Sequence, residues 1–161
     1  MKNNQLFTES EKNYGESYKE HLFDQYKLYV ESIEKTSDRR QSANSYFLTI
    51  NTALISIIGL STQIEFFQES KWVYILLSAI GVIISIIFWF LIRSYKQLNT
   101  GKFKVLHQIE ERLPIALYEN EWKILGEGKD NSKYFPFSHI ELYIPIVFGL
   151  IYAGLCIFFI Q

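Results

Sequence analysis

The chain has 161 residues, and its 16 basic and 17 acidic side chains leave a formal net charge of −1. No global charge bias therefore points to nucleic acid or an anionic surface. A single cysteine, Cys156, excludes an internal disulfide framework and a multi-cysteine zinc site; lying in an apolar run, it reads as a packed thiol.

The charge is segregated. Residues 1–45 and 94–139 hold nearly all of it, and the remainder is mostly Ile, Leu, Val, Phe and small residues. Residues 1–20 are polar, with no apolar core before a small-residue cleavage site, which predicts no secretory signal peptide. From Glu16 to Ile58 there is neither glycine nor proline, so one helix of roughly 60 Å is expected. Tyr18, Leu22, Tyr26, Tyr29 and Ile33 form one stripe along it. The same spacing continues to Arg40, Asn44 and Asn51. The stripe is narrow for a single copy to bury, and packing between copies is the natural solution.

Three segments are apolar enough to cross a bilayer, which takes about 20 residues. The first, Tyr46 to about Phe67, is the most polar, and Ser61–Lys71 reads as a short hairpin to the second. Within the first span Asn44, Ser45, Asn51, Thr52, Ser56, Gly59 and Thr62 fall in an arc of about 140°. Polar side chains are costly against lipid, so this arc should face protein or water. Two readings stay open: interhelical hydrogen bonding, or a water-filled pathway lined by Asn44, Asn51, Thr52 and Ser56. The second span, Trp72–Ile92, contains no charge, and Trp72 and Trp89 suit either interfacial positions or ordinary packing. The third, Ile140–Ile160, carries one acid, Glu141, which Ser138 explains as a capping box; proton coupling is the alternative. Pro145 could bend its first turns. Gly81 with Ser85 and Gly149 with Ala153 are small-residue pairs four apart, suited to close helix packing in an oligomer.

Between the second and third spans, Asn99, Thr100 and Gly101 should loosen the helix. Phe103, Leu106, Ile109 and Leu113 then form a second amphipathic stripe, followed by a short helix from Pro114 to Leu125, a stop at Gly126 and a loop to Ser138. The chain thus divides into 1–45, 46–92, 93–139 and 140–161. Seven Lys or Arg residues lie in 1–45 and seven in 94–139, against Lys71 alone between the first two spans. The positive-inside rule puts the amino terminus and 94–139 in the cytoplasm and Gln161 outside, with no domain beyond it.

Residues for chemistry are sparse. His21, His107 and His139 are scattered, and His107 with Glu110 reads as a surface pair. Gly126-Glu127-Gly128-Lys129 lacks the wider spacing and the hydroxyl of a phosphate loop. No nucleophile–base arrangement, metal site or cofactor motif is expected, which argues against an enzyme. Ser37-Asp38-Arg39-Arg40 is either a solvated membrane anchor or, through Arg39 and Arg40, an anion or nucleotide contact at an inner mouth.

The blocks Ser37 to Asn44, Asn99 to Lys104 and Leu113-Pro114 before Trp122 together resemble the RipA-family octameric membrane proteins of bacteria, over about Tyr26 to Pro145. The resemblance implies a ring of eight subunits in the cytoplasmic membrane and assigns no functional residue. The layout is also similar to small transmembrane effectors of bacterial defence systems, which permeabilise the membrane. The expected protein is an all-α homo-oligomer with three transmembrane helices in contact with membrane lipids. It would act as a pore gated by a cytoplasmic protein or nucleotide, or as a scaffold docking a cytoplasmic partner.

Overall fold

The computed structural model describes residues 6–64, 71–129, 132–134 and 137–161, with side chains from residue 140 onward in the last stretch. The described residues form helices α1 (Glu11–Tyr14), α2 (Tyr18–Ser61), α3 (Lys71–Glu110), α4 (Leu117–Ile124) and α5 (Phe137–Ile160), with a 3₁₀ turn at Gly126–Gly128. They contain no strand. Two compact units arise: a polar unit of Met1–Asp38 and Gln97–Phe135, and a membrane unit of Arg39–Lys96 and Pro136–Gln161. Helices α2 and α3 each contribute to both.

In the polar unit Ile33, Leu106 and Ile109 are buried, and Tyr18, Leu22, Tyr26 and Tyr29 are half-buried on the same side of α2. The aromatic stripe is thus used inside the subunit: Tyr26 bonds to Glu110 of α3, and the Lys102 ammonium lies 5.4 Å from the Tyr29 ring centroid. Lys102 also donates to the Ser32 carbonyl at 3.1 Å. These contacts follow directly after Gly101 and explain why α3 runs unbroken to Glu110, where loosening at Asn99 to Gly101 was expected. A mid-helix glycine costs about 1 kcal/mol, which such contacts offset.

Glu110 is no surface residue. It is 1% exposed, and its carboxylate accepts from Tyr26 Oη at 3.1 Å and from the backbone N–H groups of Tyr118 and Glu119 at 3.0 Å. Those two amides belong to the first turn of α4, where N–H groups lack helical partners and a negative charge is favourable. A glutamate from α3 therefore caps α4, whose own N-cap, Ala116, makes no side-chain cap bond. This fixes the helix start at Leu117, later than the expected Pro114.

In the membrane unit the Phe47 and Phe88 rings stack at 4.0 Å, and Phe148 meets Phe47 edge-on at 5.6 Å. A second cluster joins Leu54, Ile58, Tyr74 and Tyr152. The small residues act here. A Cβ on Gly81 would lie 2.5 Å from ring atoms of Tyr152, so only glycine admits that ring. Gly149 faces Ser85, with room for a Cβ at 3.5 Å. Gly81, Ser85 and Gly149 therefore join α3 to α5 within one subunit, and Ala153 is half-buried beside them.

Helix α2 ends at Ser61, earlier than the expected Phe67; the hairpin residues 65–70 lie outside the described residues. Tyr46 to Ser61 falls short of the about 20 residues a span needs. The apolar part of α2 is thus shorter than the expected Tyr46 to about Phe67. Helix α5 starts at Phe137, so Ser138 lies within it, and its side chain, like that of His139, is outside the described residues. Pro145 sits buried inside α5 without ending it.

Candidate functional site

The membrane part of α2 presents three faces. Phe47, Asn51, Leu54 and Ile58 point into the unit. Tyr46, Ile50, Ile57 and Leu60 form an exposed apolar face, 50% to 71% accessible. The third face is exposed and polar: Ser42, Ser45, Thr49, Thr52, Ser56 and Gly59 follow one another at alternating steps of three and four, and all are exposed. That 3.5-residue period is the one by which a helix keeps one side towards a common axis.

The hydroxyls have a defined polarity. Ser45, Thr49, Thr52 and Ser56 donate to the backbone oxygens of Gln41, Ser45, Leu48 and Thr52, at 2.8–3.2 Å. Their protons are thereby directed along the helix, and what remains facing outward is oxygen lone pairs. Such a face accepts hydrogen bonds from water and suits cations better than anions.

Sequence reading had grouped Asn44 and Asn51 with this face, and the structure separates them from Thr52 and Ser56. Asn51 is fully buried; its Nδ2 donates to the Phe47 carbonyl at 2.7 Å, and the Asn51 carbonyl accepts from Tyr152 Oη at 3.3 Å. Asn44 is half-buried and donates to Glu141 Oε1 at 2.6 Å. Glu141, 2% exposed, also pairs with the Arg40 guanidinium at 3.5 Å. Arg40 is therefore neutralised inside the unit, while Arg39 stays exposed. The two adjacent arginines have different surroundings, and only Arg39 is available at the surface. Glu141 serves these contacts between α2 and α5; a capping bond to it from Ser138 cannot be placed within the described residues.

Elsewhere the chemistry is sparse. Tyr14 Oη lies 2.9 Å from His21 Nδ1, and His107 is half-buried with Phe103 edge-on to it. Among the described residues no His, Cys, Asp or Glu cluster could hold a metal. Lys129 pairs with Glu127 in the glycine-bounded turn.

Helices α2, α3 and the Ile140–Ile160 part of α5 are long and apolar enough to cross a membrane. Their most apolar windows are only 11% to 28% buried within the chain, leaving most of the span surface for lipid or other copies. A model of the octameric membrane protein family (8xMP) matches residues 23–161. The chain belongs to the octameric membrane protein family. No match was found among curated proteins or solved structures. As a member of this family it is a self-associating membrane protein. Residues 6–22, including Phe7 against the Arg112 guanidinium at 4.2 Å, precede the family match.

The fine division of α2 was only partly legible in the sequence. Ser42 and Thr49, which complete the hydroxyl line, were missed because the asparagines drew the arc towards themselves. Glu110 was missed because its capped amides lie eight and nine residues later, outside any local motif.

Proposed function

We propose that eight copies enclose a water-filled pathway through the bacterial cytoplasmic membrane, lined by Ser42, Ser45, Thr49, Thr52 and Ser56. The observation that carries this reading is the exposed hydroxyl face at 3.5-residue period beside an equally exposed apolar face. Lipid satisfies the second and not the first, so the hydroxyl face turns to the axis. Charge asymmetry supports an orientation with the polar unit in the cytoplasm, where a protein or nucleotide would gate the path. The assembly works by passive conduction and not by catalysis, as an effector that permeabilises its membrane.

The test is ion flux from liposomes holding the purified octamer. Thr52→Leu and Ser56→Leu should each reduce flux several-fold, while Asn51→Ala, altering a residue off this face, should leave it near the wild-type value. Absence of flux under all ligands and voltages applied would count against the pathway.

A scaffold is the second reading, favoured by one surface. Ile115, Leu117 and Ile124 are 61% to 75% exposed around α4. Docking a cytoplasmic partner there would leave the octamer electrically silent, and Leu117→Ser would abolish the partner's binding.

A further inference from the structure

We infer that the membrane unit binds anionic phospholipid, with Arg39 and Arg93 holding the lipid phosphate at the polar ends of the first two spans. This does not depend on a conducting path; it requires only that the apolar faces of α2 and α3 meet lipid.

Three observations carry it. The first is charge. Phe47 stacks on Phe88 and Arg40 pairs with Glu141, so the ends of the spans nearest Arg39 and Arg93 lie at one end of the unit. That end holds Arg39, Arg40, Arg93 and Lys96; Glu141, the one acid among the membrane unit's described residues, is engaged by Arg40, and Asp38, next to Arg39 in the chain, is exposed. No described carboxylate pairs with Arg39 or Arg93, and both are exposed.

The second is continuity with apolar surface. Arg39 heads the exposed line of Tyr46, Ile50 and Ile57 at helical spacing, and Arg93 heads Phe90, Ile86 and Ile83, all at least half accessible. Each guanidinium thus stands where a headgroup would be, above surface that acyl chains would cover. A free phosphate or a nucleotide would use the guanidinium and leave the apolar line uncovered, so the occupant is a lipid.

The third is the placement of Arg93. The Arg93 guanidinium lies 5.3 Å from the Trp89 ring centroid, a cation–π contact that holds the cation beside the end of its span. A guanidinium carries a planar fork of N–H donors that matches two phosphate oxygens.

Lipid binding to the purified octamer, followed by native mass spectrometry in detergent, tests this with phosphatidylglycerol against phosphatidylcholine. One arginine near a headgroup phosphate is worth about five-fold in affinity. Wild type should prefer phosphatidylglycerol; Arg39→Gln and Arg93→Gln should each lower that preference about five-fold, and the double variant should bind both lipids alike. The double lysine variant keeps the charge and should retain most of the preference, which falls as salt is raised. Inorganic phosphate should not displace the lipid. Equal binding of the two lipids by wild type, or an unchanged preference in the double glutamine variant, would overturn the inference. Displacement by inorganic phosphate would also overturn it, by showing a free-anion site.

Discussion

Tyr26 keeps its phenolic proton because it lies partly buried and donates that proton to Glu110. Burial first, and then the hydrogen bond to the carboxylate, push its pKa from 10.0 up to about 12. A folded value above the unfolded one means that the contribution is complete below pH 10 and is lost as pH rises through about 12. The thermal midpoint of the polar unit should therefore fall over that interval, and Tyr26→Phe should flatten the fall while lowering stability by about 1 kcal/mol at neutral pH. An identical alkaline profile in both proteins would contradict the role given to this contact. The tyrosine stripe itself was readable from spacing. Its partner was not, since Glu110 stands 84 residues away and its carboxylate resembles any other on a helix.

At the scale of elements, the contact between α3 and α5 depends on a single missing side chain. Tyr152 is completely buried against Gly81, where a methyl group would overlap its ring, whereas Gly149 has ordinary contact distance to Ser85. Gly81→Ala should destabilise the protein by about 1–3 kcal/mol through overpacking, and Gly149→Ala should change it little. Thermal unfolding in detergent distinguishes them; equal effects would mean that the ring is not held as described. The small-residue pairs were visible in the sequence as close-packing signals. Whether they served within a subunit or between copies was not, because four-residue spacing states that a partner approaches and not which one. The same holds for α2. Its length followed from the absence of glycine and proline, but its division into inward, apolar and hydroxyl faces needed the positions of Phe47, Asn51 and Leu54.

For the whole assembly, the decisive property is that so little of each span is covered by its own chain. Eight copies must cover part of the rest, and on the proposed reading the face of hydroxyl lone pairs would turn to water and the face of isoleucines to lipid. Three spans and segregated charge were legible from composition alone, and octameric family membership agrees with the resemblance seen in the sequence blocks. The exposed hydroxyl face was only half legible, as Thr52 and Ser56 were named together with two asparagines that the structure turns inward.

Cysteine accessibility along α2 tests that assignment most directly. With Cys156 replaced by serine, single cysteines at Ser45, Thr49, Thr52 and Ser56 in the reconstituted octamer should react with a membrane-impermeant thiol reagent. Cysteines at Ile50 and Ile57, facing lipid, and at Asn51, facing the protein interior, should not. Protection of all four hydroxyl positions, or reaction at Ile50 and Ile57 instead, would contradict a pathway lined by the hydroxyl face.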